Sequence, residues 1–167
     1  MAGLDLALLC CFEALLLAAA ATDVRSYRIP NLIPLAMLAA FTMWLFAGGA
    51  RTGLTGAAVA LAIAFLFGLL LWHFGVWGGG DAKLLAAMAP WVGLAGLPRL
   101  VAIMAVAGGI LAVGFLIWGR LAGPSRPAPR HLPYGVAIAV AGTDWFLAAT
   151  GVKKTFLSLG PSLISFG

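Results

Sequence analysis

Two aspartates stand at the ends of long apolar stretches, each in a distinctive local sequence. Asp23 begins the segment Asp-Val-Arg-Ser-Tyr-Arg-Ile-Pro-Asn, and Asp81 follows three consecutive glycines and precedes Lys83 by two residues. The chain has only five acidic residues, and a carboxylate beside a lipid bilayer is costly, so both are candidate functional groups. Two carboxylates held close together cannot both ionise, and a pair that shares one proton can activate water for peptide hydrolysis. The sequence therefore predicts a paired-carboxylate site at one face of a membrane.

Each aspartate, taken alone, also has an ordinary explanation. Asp81 after a glycine linker is typical of a helix N-cap, and that role is compatible with a catalytic one. Asp23 alone is typical of a surface carboxylate in a turn, paired with Arg25 or Arg28. It is the combination of the two that favours a catalytic pair.

The glycines before Asp81 permit backbone conformations that are closed to other residues and remove side-chain bulk. An extended peptide can then lie close to the backbone beside the carboxylate. We therefore assign Gly78 and Gly80 to an active-site loop. Lys83 is expected either to approach the carboxylates or to extend to the lipid interface.

The composition excludes an ordinary soluble domain, because 63% of the residues are hydrophobic and only 9% are charged. A helical span needs about 20 apolar residues, so 167 residues accommodate roughly six spans with short connections. The apolar runs are continuous rather than alternating, which favours helices over a barrel. We predict an all-α membrane protein, one polytopic bundle of about six transmembrane helices, with no soluble second domain.

The predicted spans cover about residues 4–22, 32–49, 54–77, 82–97, 99–118 and 133–150. The first is expected to be retained rather than cleaved as a signal peptide, because no basic residue precedes it. The fourth is short, contains Pro90, and is not clearly separated from the fifth. An even number of predicted spans lies between the two aspartates, so they share one side of the membrane.

The distribution of basic residues predicts which side that is. Six of the ten Lys and Arg residues fall on the side of the aspartates: Arg25, Arg28, Lys83, Arg120, Arg126 and Arg130. Four fall on the other side: Arg51, Arg99, Lys153 and Lys154. This modest bias places both aspartate loops in the cytoplasm.

No metal site is predicted. Cys10 and Cys11 are adjacent, so they cannot form Cys-x-x-Cys pairs, and we expect them to be buried free thiols. His73 and His131 are isolated, whereas even an open catalytic zinc site uses three protein ligands. The proposed hydrolysis needs no metal or organic cofactor.

Other features are attributed to the bundle itself. Glu13 and Asp144 are intramembrane carboxylates, which we expect to face the interior and form hydrogen bonds between helices. Small residues recur every four positions in the third span, which favours close approach of a neighbouring helix, although an Ala- and Gly-rich chain also produces such spacing by chance. These residues are Gly56, Ala60, Ala64 and Gly68. Interfacial anchoring is expected of four tryptophans near span ends. They are Trp72, Trp77, Trp91 and Trp118.

The chain resembles the type IV prepilin peptidases, membrane aspartic proteases with a G-x-G-D motif, and its size is similar to the CpaA/TadV-like branch of Flp (tight-adherence) pili. Three segments carry the resemblance: Asp23 with Ile29-Pro30-Asn31, then Gly78-x-Gly80-Asp81-x-Lys83, and Leu132-Pro133-Tyr134-Gly135. A bare G-x-G-D is a weak signal. In this order, with one aspartate closing the first span and the other opening the fourth, it is a strong one.

The resemblance implies that Asp23 and Asp81 are catalytic and that the short leader of a prepilin is cleaved at the cytoplasmic face of the bacterial inner membrane. It implies structural support from Pro30 and Asn31, where the second span begins, and from Pro133 and Gly135, which open the last. Pro30 suits the first turn of a helix, and Asn31 can bond the loop backbone. The expected partners are the prepilin and the lipid bilayer, with no nucleic acid. Methyl transfer, which larger members also perform, is not supported because the chain lacks their paired Cys-x-x-Cys motifs.

Two other classes of function remain open. An ion- or proton-coupled transporter would use the same aspartates, but transport sites usually lie on broken helices near the bilayer midplane. A catalytically idle subunit for pilus assembly would not need both aspartates.

Overall fold

The computed structural model describes residues 3–50, 53–121 and 132–152. This part of the chain forms six α-helices and one short 3₁₀ turn, and it contains no β-strand. The helices are α1 (Gly3–Ser26), α2 (Leu32–Phe46), α3 (Leu54–His73), α4 (Gly79–Val92), α5 (Leu97–Leu121) and α6 (Tyr134–Ala149). The predicted all-α bundle of six helices is confirmed.

The six helices differ in their ability to cross a bilayer. Three segments are long and apolar enough to span it: Gly3–Ser26, Leu54–His73 and Leu94–Leu121. The apolar helices α2 and α6 are shorter, with 15 and 16 residues. At 1.5 Å per residue α4 is only about 21 Å long, less than the ~30 Å thickness of the hydrocarbon core.

Helix α4 lies inside the bundle, where α2, α3 and α6 pack around it. Every residue from Leu84 to Trp91 is buried. Helix α3 presents small residues to it, and a Cβ on Gly68 would lie 2.8 Å from the Cα of Ala82. The predicted ridge of small residues is therefore present, with Ala57 buried in place of Gly56.

The fourth and fifth helices are separate. Helix α4 ends at Val92, and Gly93 adopts a left-handed φ of 70°, which costs a glycine no steric clash. The 3₁₀ turn Leu94–Gly96 then leads directly into α5. The fourth helix thus covers residues 79–92 rather than 82–97, and the first continues to Ser26 rather than ending at residue 22.

Aromatic side chains fill the core near the C-terminal end of α4. Trp91 is buried, its ring stacks on that of Trp44 at 5.3 Å, and its Nε1 donates to the carbonyl oxygen of Met37 at 3.2 Å. Phe12 and Trp145 complete the cluster, so that α1, α2, α4 and α6 all contribute. Interfacial anchoring was the wrong explanation for Trp91.

The expectation for the cysteines was also wrong. Cys10 and Cys11 are both exposed on α1, where a bilayer would surround them. Burial within the protein is not needed to remove a thiol from water when the solvent at that depth is lipid.

Glu13 and Asp144 form the predicted bonds between helices. Thr143 on α6 donates its hydroxyl to Oε1 of Glu13 on α1 at 2.7 Å. Arg99 on α5 forms a salt bridge of 2.9 Å with Oδ2 of Asp144 on α6. These contacts fix α6 between α1 and α5, and α6 in turn carries one side of the site described next.

Candidate functional site

Asp23 lies within the last turn of α1 and is 5% exposed. Its Oδ2 accepts a hydrogen bond from the backbone N–H of Gly135 at 2.7 Å. The alternative of a surface carboxylate paired with Arg25 or Arg28 is therefore wrong, since Asp23 is buried and bonded to the start of another helix.

The start of α6 explains why that N–H is available. Pro133 occupies the N-cap position and Gly135 is the second residue of the helix. The first N–H groups of a helix have no partner within it, and a carboxylate there also interacts favourably with the helix dipole. A Cβ on Gly135 would lie 2.9 Å from Oδ2 of Asp23, so the approach depends on the absence of a side chain.

Asp81 lies at the third position of α4 and is 7% exposed. Gly78, not Asp81, occupies the N-cap position, and its backbone N–H donates to Oδ2 of Asp81 at 3.2 Å. The prediction of Asp81 as the N-cap is wrong by three residues, although the carboxylate does satisfy a donor at the helix start. Both aspartates therefore lie at helix N-termini, Asp23 at that of α6 and Asp81 at that of α4.

Asp81 has one carboxylate oxygen without a hydrogen bond in the described part of the chain, and its pKa is raised. Oδ1 of Asp81 is buried and accepts no hydrogen bond from the described part of the chain. Burial, followed by the negative charge of Asp23, raises the pKa of Asp81 to about 7, against the opposing effect of the Gly78 N–H. Asp81 lies outside the three long apolar segments. At neutral pH this carboxyl group is therefore partly protonated.

Both carboxylates line one cavity of about 360 Å³, which we call the aspartate cavity. Its other lining residues are Tyr27, Gly75, Val76, Trp77, Gly78, Leu132 and Tyr134. The predicted pair is thus brought together, and of the predicted loop residues only Gly78 lines the cavity.

Three aromatic residues of this cavity were missed as site residues. Tyr27 and Tyr134 lie within the segments that we used to identify the site, and Trp77 directly precedes the glycines. Trp77 is buried with its ring 5.6 Å from that of Tyr134, so it is not an interfacial anchor. The available signal was an aromatic residue within four positions of each aspartate, Tyr27 for Asp23 and Trp77 for Asp81, and of these Trp77 was assigned to the lipid interface from its position near a span end.

Gly80 does not leave room for a substrate. A Cβ on Gly80 would lie 3.1 Å from the Cβ of Ile29, which occupies the space beside it. The expected approach of a substrate peptide at Gly80 is therefore wrong, while Gly78 remains at the cavity wall.

Lys83 approaches Asn31 rather than the carboxylates. Its Nζ donates to Oδ1 of Asn31 at 2.9 Å. Asn31 occupies the N-cap position of α2 without a capping hydrogen bond from its side chain, and Pro30 precedes the helix instead of lying in its first turn. Pro30 and Asn31 thus belong to the turn between α1 and α2.

The arrangement is suited to general acid–base chemistry. Each carboxylate accepts one backbone N–H, and Asp81 also has a raised pKa and a second oxygen without a hydrogen bond in the described part of the chain. Within the described ranges no three His, Cys, Asp or Glu side chains gather as a metal ion would require.

The chain is similar to proteins of known activity. The model of the Type IV leader peptidase family matches residues 10–113. A prepilin leader peptidase/N-methyltransferase of Xanthomonas campestris pv. campestris is 32% identical over 152 residues, covering 84% of this chain and 48% of that protein. The protein of the same name from Burkholderia pseudomallei is 36% identical over 136 residues, covering 77% of this chain and 42% of the relative.

A third relative of that name, from Dickeya chrysanthemi, is 32% identical over 141 residues, covering 80% of this chain and 47% of the relative. The chain therefore spans about half the length of the curated relatives it matches. No solved structure matches it.

Proposed function

Because the chain belongs to the type IV leader peptidase family, we propose that it is a membrane-embedded aspartic endopeptidase that removes the leader peptide of a prepilin. The observation that carries the proposal is the placement of Asp23 and Asp81, two buried carboxylates, on one cavity. They are the only buried charged residues in the described part of the chain. Burying two carboxylates in one place costs stability, which favours a functional explanation over a structural one.

The two aspartates take different roles in the proposed mechanism. Asp23 is the general base, because it accepts the shorter of the two backbone N–H bonds, 2.7 Å against 3.2 Å at Asp81, and this bond favours its charged form. Asp81 is the protonated general acid, because its pKa is raised to about 7.

In the first step Asp23 removes a proton from a water between the carboxylates, and the water oxygen bonds to the scissile carbonyl carbon. Asp81 donates its proton to the carbonyl oxygen, which prevents a full negative charge from forming there. In the second step the proton on Asp23 passes to the leaving nitrogen as the C–N bond breaks. Asp81 recovers its proton as the carbonyl re-forms, so both groups return to their starting states.

The proposed substrate is a prepilin of the Flp type, with a hydrophobic N-terminal helix in the inner membrane and a short leader in the cytoplasm. The location of the cavity supports this, since it lies where α1 ends and where α4 and α6 begin. A peptide bond just outside a membrane helix can reach such a cavity. We place the aspartate loops on the cytoplasmic side, following the distribution of basic residues.

The proposal is limited to one peptidase domain without methyl transfer. The N-methyltransferase part of the relatives' names is not carried over, because the only two cysteines of the chain are adjacent on α1. Ion or proton transport is disfavoured, because neither α1 nor α4 is interrupted at its aspartate.

The test is co-expression with a candidate Flp-type prepilin, followed by measurement of the mass of the pilin N-terminus. We expect loss of the leader with the unaltered chain, and retention of the leader with a matched Asp81→Asn variant expressed at the same level. Full-length prepilin in the presence of the unaltered, membrane-inserted chain would contradict the proposal for that substrate class. Proton flux through vesicles containing the chain, with no cleavage, would favour the transporter instead.

A further inference from the structure

The turn between α1 and α2 contacts the first turn of α4 at two points. Lys83 donates to Oδ1 of Asn31 at 2.9 Å. Beside this bond, Ile29 packs so closely on Gly80 that a Cβ there would lie 3.1 Å from the Cβ of Ile29. We call this pair of interactions the turn–α4 contact.

Both sides of the turn–α4 contact lie next to a carboxylate. Gly80 and Lys83 flank Asp81 at the start of α4, as the second and fifth residues of the helix. On the other side, Tyr27 begins the turn directly after α1, and its N–H donates to the carbonyl oxygen of Asp23 at 2.8 Å. The hydrogen bond between Lys83 and Asn31 therefore also fixes the end of α1 relative to the start of α4.

The turn itself is constrained, which lets it transmit that restraint. Tyr27 is the one non-glycine residue of the described chain with a positive φ, 51°, and it is held there at a strain cost of about 1 kcal/mol or more. Only Arg28, Ile29 and Pro30 separate it from Asn31, and Pro30 has a fixed φ.

From this geometry we infer that Lys83 and Asn31 are positioning residues, which hold Asp23 and Asp81 at the separation that catalysis needs. The inference rests on the proposed peptidase function. Lys83 acts through Asn31 rather than on the substrate: its side chain is exposed, it donates to Asn31, and it does not line the aspartate cavity. Because a misplacement of about 1 Å can cost roughly a hundredfold in rate, a restraint at this point is sufficient to control turnover.

The test is a double-mutant cycle on the purified full chain, with the prepilin that the unaltered chain cleaves as substrate. Lys83→Met keeps an unbranched side chain one atom shorter and removes the donor, and Asn31→Leu keeps the shape and removes the acceptor. Asn31 makes no capping bond to α2, so the second change leaves that helix start intact. We expect each to lower kcat by about tenfold with KM changed less than about twofold, and the double variant to be no slower than either.

Conservative variants separate positioning from a structural role. Lys83→Arg keeps a donor and Asn31→Asp keeps an acceptor, so both should recover most of kcat. A double variant slowed by the product of the two single effects, about a hundredfold, would overturn the inference, because the two residues would then act independently. So would an Asn31→Leu variant with unaltered kcat.

Hydrogen exchange separates failure of this inference from failure of the proposed function. In Lys83→Met, backbone amides of the turn and of the first turn of α4 should exchange faster together, while those of the aromatic core stay protected. Unchanged exchange in both segments would refute the contact whatever the activity. Absence of cleavage by the unaltered chain would refute the proposed function. Hydrogen exchange would then still show whether the turn–α4 contact holds the two segments together.

Discussion

The carboxylate of Asp23 accepts the backbone N–H of Gly135, 2.7 Å away and 112 residues later in the chain. This bond joins the last turn of α1 to the first turn of α6. It supplies a partner to one of the N–H groups that a helix start leaves unpaired, and it favours the ionised form of the carboxylate against the cost of burying it. The start of α6 is therefore part of the catalytic arrangement that we propose.

Gly135→Ala should impair cleavage by displacing Asp23. The new Cβ would lie 2.9 Å from Oδ2 and 3.0 Å from Cβ of Asp23. Because Asp23 is buried, it has little room to move away. We expect kcat to fall at least about tenfold and stability to fall by about 1–3 kcal/mol, as for other overpacked sites. Cleavage of a prepilin by the purified variant and its thermal melting in detergent measure the two effects.

Gly109→Ala is the matched control on α5. A Cβ at Gly109 meets nothing within 4 Å, and the residue is exposed. Replacing glycine by alanine inside a helix then stabilises by about 0.5–1 kcal/mol, so activity should be unchanged. Equal effects of the two substitutions would show that the contact of Gly135 with Asp23 has no special role.

The pH dependence of cleavage should have an alkaline limb set by Asp81. A general acid must be protonated, and a pKa of about 7 means that the proton is lost as the pH rises through that value. We expect kcat/KM to fall about tenfold per pH unit once the pH exceeds the pKa of Asp81. Rates that stay constant from pH 6 to about pH 9 would exclude Asp81 as the proton donor.

The same shift predicts a pH-dependent stability. The folded pKa of Asp81 lies above its ordinary value of 3.8, so the folded state binds the proton more tightly than the unfolded state does. Proton binding at Asp81 therefore increases the free energy of unfolding. This contribution is fully present below pH 3.8 and is lost as the pH rises through about 7. Asp81→Asn removes the ionisable group, so its melting temperature should exceed that of the unaltered chain at about pH 8, by a margin that shrinks towards pH 5.

A margin of the same size at both pH values would mean that burial of charge at Asp81 is not what the substitution relieves. Differential scanning fluorimetry in one detergent across the pH range gives the comparison directly.

Membrane orientation is tested by single cysteines after replacement of Cys10 and Cys11. Ser26 and Ala47 are both exposed, at opposite ends of the first two helices. The distribution of basic residues predicts that an impermeant thiol reagent labels Ser26→Cys only from the cytoplasmic side and Ala47→Cys only from the outside. The reverse pattern in intact cells would overturn cytoplasmic cleavage.

The sequence was sufficient to predict the helices and the placement of the two aspartates at one site, because lipid imposes helices on long apolar runs and makes isolated carboxylates conspicuous. The bounds of the fourth helix were less predictable. Its burial by α2, α3 and α6 is a tertiary property, and a helix surrounded by protein need not match the bilayer thickness. For the same reason Trp91 was assigned to the interface although it lies in the core.

The partners within the site could not be predicted from spacing. Gly135 reaches Asp23 through the packing of α1 on α6, and Gly80 faces Ile29 through the packing of the turn on α4. A glycine required for close approach looks the same in a sequence whether the approaching group is a substrate or another part of the chain. Several basic residues that set the predicted orientation, among them Arg126 and Arg130, lie outside the described residues.

The central claim is that both aspartates take part in the hydrolysis, and cleavage of a prepilin by three purified variants tests it most directly. Asp23→Asn and Asp81→Asn should each lower the rate by about a thousandfold or more while remaining folded in the membrane, because an amide cannot exchange the proton. Asp81→Ser, which keeps an oxygen that can accept the N–H of Gly78, should be equally inactive, because a hydroxyl cannot replace a carboxyl group in proton exchange near neutral pH. Leader removal at a near-normal rate by any of the three, measured by the mass of the pilin N-terminus, would contradict the two-aspartate mechanism.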